Sequence, residues 1–101
     1  MAGYHQAHDN AELKDAGNWL KKLRTDAGIT QLAIAQACGY EYVTFISQIE
    51  AGKGRIPPEK YEAFAKVYNV DPTWFAKNYL RFTDLRFTDR YMHKLLFGPN
   101  G

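Results

Sequence analysis

Apolar residues recur at helical spacing along most of the chain, and no segment makes a convincing strand. From Ala11 to Ala27, Leu13, Ala16, Leu20, Leu23 and Ala27 fall three or four residues apart, which predicts an amphipathic first helix. Asp9 and Asn10 suit its N-cap and Gly28 its stop. Thr30 caps a short second helix over Gln31–Cys38, with Ile34, Ala35 and Cys38 on its inner face. Gly39 ends that helix and Tyr40-Glu41-Tyr42 forms a turn. A third short helix follows from about Val43 to Ala51 and carries Ile46 and Ile49 inward. Gly52-Lys53-Gly54-Arg55-Ile56-Pro57 is a glycine-rich basic loop. Pro58 suits the first turn of a fourth helix, whose apolar face is Tyr61, Phe64, Ala65 and Tyr68. Asp71-Pro72 starts a fifth, holding Trp74, Phe75 and Tyr79.

The tail repeats itself. Leu80-Arg81-Phe82-Thr83-Asp84 is followed at once by Leu85-Arg86-Phe87-Thr88-Asp89, a local duplication too short to be a solenoid. Each Thr-Asp pair suits a helix cap, which predicts a break at one of them. A last helix is expected to run to about Phe97. The boundaries that follow are 1–10 for a flexible N-terminal segment, 11–78 for a helical domain, and 79–101 for a C-terminal helical extension.

Composition narrows the classes. The 101 residues are room for one domain, and 46% hydrophobic with 24% charged is a globular balance. No apolar run approaches the roughly 18 residues that span a bilayer, so no membrane partner is expected. One cysteine, Cys38, excludes an internal disulfide framework and a Cys-based zinc site. A cytoplasmic protein is expected. A net charge of +2 is compatible with nucleic-acid binding without demonstrating it. Aromatic residues reach 15%, more than a minimal core needs, and some belong at an interface.

No catalytic constellation is visible, so an enzyme acting alone is not expected, nor is a cofactor. His5 and His8 lie in the N-terminal segment with too few further ligands for a closed metal site. His93 is isolated. No serine or cysteine sits in a nucleophile motif, and Gly52-Lys53-Gly54 is too short for a phosphate loop.

Thr30 to Ile49 instead reads as helix, tight turn, helix. Helices this short need flanking helices, and the chain supplies one before and two after. That is the shape of a helix-turn-helix DNA-binding domain. Leu20-Lys21-Lys22-Leu23-Arg24, Gly28-Ile29-Thr30-Gln31, Ile34-Ala35, Gly39, Ile46-Ser47-Gln48-Ile49-Glu50 and Gly52-Lys53 resemble the lambda-repressor/Cro-like (XRE-type) family. Tyr61, Phe64-Ala65, Tyr68-Asn69-Val70-Asp71 and Trp74-Phe75 are similar to its fourth and fifth helices. The resemblance covers about residues 17–76. It implies an all-α, five-helix lambda-repressor-like domain, here with the C-terminal helical extension. Two features depart from the pattern. Gly39 to Glu50 holds one residue more than the usual spacing, and Cys38 stands where the family has leucine.

The resemblance places the base-reading positions on Val43, Thr44 and Gln48. Gln48 can bond adenine bidentately, Thr44 can offer a hydroxyl or a methyl, and Val43 suits a thymine methyl. The alternative for Val43 is a buried staple at the helix start, and for Gln48 a solvated face. If the longer turn projects into the groove, Tyr42 and Glu41 join the set. Phosphate contacts are expected from Gln31 at the start of the second helix and from Ser47, Lys53 and Arg55, unless the glycine-rich loop is only solvated surface. Lys21 and Lys22 are read as solvent-facing charges. The resemblance also pairs Arg24 with Glu50 as a structural ion pair.

A dimer doubles the contacts of one module, and the greasy tail is the expected interface, through Tyr79, Phe82, Leu85, Tyr91, Met92, Leu95 and Leu96. A helix packed on its own domain is the alternative. The function expected is a bacterial or phage-encoded repressor that binds double-stranded DNA as a homodimer at an inverted repeat, possibly its own operator. The alternatives are an antitoxin-type protein that binds a protein partner through its tail, or the DNA-targeting subunit of a larger complex.

Overall fold

The structure, a computed structural model, describes residues 2–83, with side chains from Leu13 onward. Five α-helices make it up: α1 (Ala2–Ala27), α2 (Gln31–Ala37), α3 (Thr44–Glu50), α4 (Tyr61–Tyr68) and α5 (Pro72–Thr83). No strand occurs among the described residues. The predicted break after Thr83 and the last helix lie outside them.

Several helix boundaries have a local cause. Thr30 Oγ1 accepts from the Ala33 amide at 3.0 Å and starts α2. Asp71 Oδ2 accepts from the Trp74 amide at 2.9 Å and starts α5, with Pro72 as its first helical residue. Asn69 takes a left-handed conformation, φ 62°, and ends α4. Cys38 is the C-cap of α2 rather than part of it.

Three sequence expectations are corrected. The first helix begins at Ala2, not Ala11, so Asp9 and Asn10 lie inside it instead of capping it. The stretch Ala2–Asn10 has no proline and no β-branched residue, although Gly3, Asp9 and Asn10 are poor helix formers. Pro58–Lys60 is a separate 3-10 turn, and α4 begins only at Tyr61. Ala27, expected on the apolar face, is exposed.

The core joins all five helices. Leu20, Ile34, Ile46, Ile49, Phe64 and Phe75 are fully buried, together with Ile56 from the loop before α4. α1 packs on α3 and α5. It crosses α3 closely because glycines line the seam. A Cβ on Gly17 would stand 2.5 Å from the Glu50 carbonyl oxygen, and one on Gly52 would stand 2.7 Å from Lys14 Cα. The glycine expected to open the loop toward a phosphate is thus spent at Gly52 on helix packing.

Tyr79 is also corrected. It was expected at a dimer interface, but its side chain is 1% exposed and belongs to the core. Its hydroxyl accepts from the Ile56 amide at 2.8 Å, and its ring stacks on Phe75. The cause is helical phase: Phe75 and Tyr79 are one turn apart on the buried side of α5. Phe82 is half-buried on Trp19, with ring centroids 5.7 Å apart. Leu85, Tyr91, Met92, Leu95 and Leu96 lie outside the described residues.

Candidate nucleic-acid interface

α3 has two clearly different sides. Phe45, Ile46, Ile49 and Glu50 face the domain, while Thr44, Ser47 and Gln48 are exposed at i, i+3 and i+4. Val43 is half-buried at the N-cap position and makes no side-chain capping bond. Tyr42 precedes it and is 69% exposed. The turn that carries the additional residue is anchored by Tyr40. Its amide donates to Ala35 O at 2.8 Å, and its ring stacks on Phe45 with centroids 4.5 Å apart. Lys60 Nζ lies 5.2 Å from the Tyr40 ring centroid and donates to the Cys38 carbonyl at 2.8 Å. Tyr40 therefore packs inward while Glu41 and Tyr42 stay outside.

Beneath this face runs a chain of polar contacts. Arg24 Nε donates to Glu50 Oε2 at 2.7 Å, and Arg24 Nη2 donates to Glu50 Oε1 at 3.1 Å. The third guanidinium nitrogen donates to the Ile29 carbonyl at 3.2 Å. The Glu50 side chain is only 4% exposed, so the bidentate geometry offsets a real desolvation cost. The hydrogen bond with Glu50 holds the Arg24 guanidinium pKa above its ordinary value, against the opposing effect of burial. Gln31 Nε2 donates to Glu50 Oε1 at 3.0 Å, and Ser47 Oγ donates to Gln31 Oε1 at 2.9 Å. The chain thus ties α1, the start of α2 and both ends of one α3 turn.

The residues expected to meet phosphate are placed differently from one another. Gln31 stands beside the exposed face and keeps one amide N–H beyond its bond to Glu50. Lys53 is exposed just after α3, and its backbone amide donates to Gln48 O at 2.8 Å. Arg55 is turned to the other side of the loop, where Nη1 donates to the Thr83 carbonyl of α5 at 2.6 Å. Lys22 pairs with Asp26 at 3.0 Å in an exposed i, i+4 contact.

Periodicity and spacing do not reveal the Gln31–Glu50 and Gln31–Ser47 bonds, because they join residues 19 and 16 apart in sequence. The inward role of Tyr40 is equally hidden in a turn. Among the described residues no group of three or more His, Cys, Asp or Glu could hold a metal ion. No described helix is long and apolar enough to cross a membrane.

No curated protein and no solved structure matches the chain. A helix-turn-helix family model matches residues 20–75, a span that runs from the last third of α1 to the first turn of α5 and takes in α2, α3 and α4 whole. With more than half of its length in that match and the five helices in the corresponding order, the chain belongs to the lambda-repressor-like (XRE-type) helix-turn-helix family.

Proposed function

We propose that this protein is a sequence-specific, double-stranded-DNA-binding transcription regulator, acting as a dimeric repressor at an inverted-repeat operator. The family supports a DNA-binding, transcription-regulator role. The observation that carries the finer reading is the outer face of α3. Thr44 and Gln48 are exposed there, on a helix anchored from below by the buried Arg24–Glu50 pair. A short rigid helix with free polar side chains at its start suits the major groove, where base edges differ in donors and acceptors.

In this reading Thr44 and Gln48 contact bases, with Tyr42 and the half-buried Val43 adding apolar contact at the helix start. Gln31 and Lys53 donate to phosphates on either side. Dimerisation doubles the contacts and sets two α3 helices about one DNA turn, ~34 Å, apart. Trp74, 44% exposed beside the half-buried Trp19, supports a second copy docking on α5 and the tail that follows it.

Fluorescence anisotropy tests this with the DNA upstream of the protein's own gene and a scrambled duplex of equal length. Tight binding to the upstream DNA alone, lost in Thr44→Ala/Gln48→Ala with unchanged circular dichroism, is the expected result. Equal, strongly salt-dependent binding to both duplexes would contradict an operator at that site.

A further inference from the structure

We infer that Ser47 is a base-reading residue held as a hydrogen-bond acceptor, and that it selects an exocyclic amino group in the major groove. This rests on the operator-reading function proposed above. Ser47 was expected to donate to a phosphate. Its place in the polar chain gives its hydroxyl a different sense.

The argument starts at Glu50. An ionised carboxylate only accepts, so the group bonded to it at 3.0 Å must be the Gln31 amide nitrogen. That fixes the orientation of the Gln31 amide and turns Oε1 toward Ser47. Amide oxygen only accepts, so the 2.9 Å contact uses the single Ser47 hydroxyl proton. What remains outward on Ser47 is lone pairs. The sense of every bond in the chain follows from the charge on Glu50, which Arg24 balances.

A lone pair cannot serve a phosphate oxygen, which also only accepts. Rotating the Ser47 proton toward a phosphate would leave Gln31 Oε1 without its donor in an interface that is losing water and lined with anions. The present orientation is therefore the one favoured on DNA. In the major groove the partners for a lone pair are the adenine N6 and cytosine N4 amino groups. Guanine O6 and thymine O4 are excluded because they accept. Ser47 lies one step around the helix from Thr44 and Gln48 on the same exposed face, within the base-facing set.

Selection of binding sites from a random duplex pool, with the full-length protein and two variants, tests this. The wild type is expected to enrich a motif with one position restricted to an amino-bearing base on one strand. Ser47→Ala should lose the preference at that position alone, with about a fivefold loss for the wild-type motif and unchanged binding to random DNA. Gln31→Met removes the acceptor and frees the Ser47 proton. It should admit guanine or thymine at the same position, while the lost Gln31 phosphate contact weakens binding to motif and random duplexes alike. If Ser47→Ala weakens binding to motif and random duplexes equally, or leaves every preference unchanged, the acceptor role is overturned while sequence-specific reading stands. A wild-type pool with no enriched motif would overturn the reading function and this role with it.

Discussion

Gly17 of α1 lies directly against the backbone carbonyl of Glu50, so close that a Cβ would stand 2.5 Å from that oxygen. The same glutamate is held by Arg24 about two turns further along α1. α1 therefore grips the end of α3 by close backbone contact and by charge.

Gly17→Ala is accordingly expected to destabilise the fold, although alanine is the better helix former. The propensity gain is about 0.8–1 kcal/mol, whereas forcing backbone apart in a packed seam costs about 1–3 kcal/mol. A lower urea midpoint with unchanged slope would bear this out, and a raised midpoint would contradict the close seam.

Arg24→Ala should cost about 3–5 kcal/mol, because it leaves the Glu50 carboxylate buried without its countercharge. Arg24→Met with Glu50→Met should be far milder than the single change. Urea denaturation of the two variants reads the difference.

The two buried tyrosines should respond oppositely to loss of the hydroxyl. Tyr79→Phe leaves the buried Ile56 amide without an acceptor and should cost about 1–3 kcal/mol. The Tyr68 hydroxyl is buried with no hydrogen-bond partner among the described residues, so Tyr68→Phe should be neutral or slightly stabilising. Thermal melts at pH 7 are sufficient to separate the two.

Alkali should destabilise the protein largely through the same pair. Burial pushes the Tyr79 hydroxyl up to about 12 and Tyr68 higher still, each from an ordinary value of 10.0. Above pH 10 the unfolded chain releases protons that the folded chain retains. Stability present below pH 10 is then lost by about 1.4 kcal/mol per pH unit for each tyrosine up to its folded value. Urea midpoints between pH 9 and 11.5, followed with tyrosinate absorbance, should fall together. In Tyr68→Phe the slope should be shallower but not abolished, since Tyr79 remains and burial also raises Cys38 and Tyr40.

Lys53→Ala should weaken binding to all duplexes alike and reduce the slope of log K against log salt by about 0.9, the signature of one phosphate contact. Lys22→Ala, whose ammonium is engaged with Asp26, should leave that slope nearly unchanged. Anisotropy titrations at several salt concentrations measure both.

Much of this architecture is legible in the order of residues. The spacing of Leu20, Ile34, Ile46, Ile49, Phe64 and Phe75 marks the inner faces, because a helix places every third or fourth residue on one side. Thr30 and Asp71 mark helix starts because a cap is a contact within three residues. The family pattern extends that reading to the domain as a whole and to its DNA-binding class. Tertiary structure alone decided the rest. Helical phase turns Tyr79 inward, but its hydroxyl is satisfied there only because the loop at Ile56 brings a backbone amide to it. Arg55 turned to Thr83, and Gly52 was taken up by Lys14, because those partners come from helices distant in sequence. The same holds for the proton of Ser47. A serine can donate or accept, and which it does here depends on a carboxylate reached through Gln31. Local pattern specifies which faces are apolar and where helices start. The direction of a hydrogen bond and the destination of an aromatic ring depend on what the folded chain brings alongside.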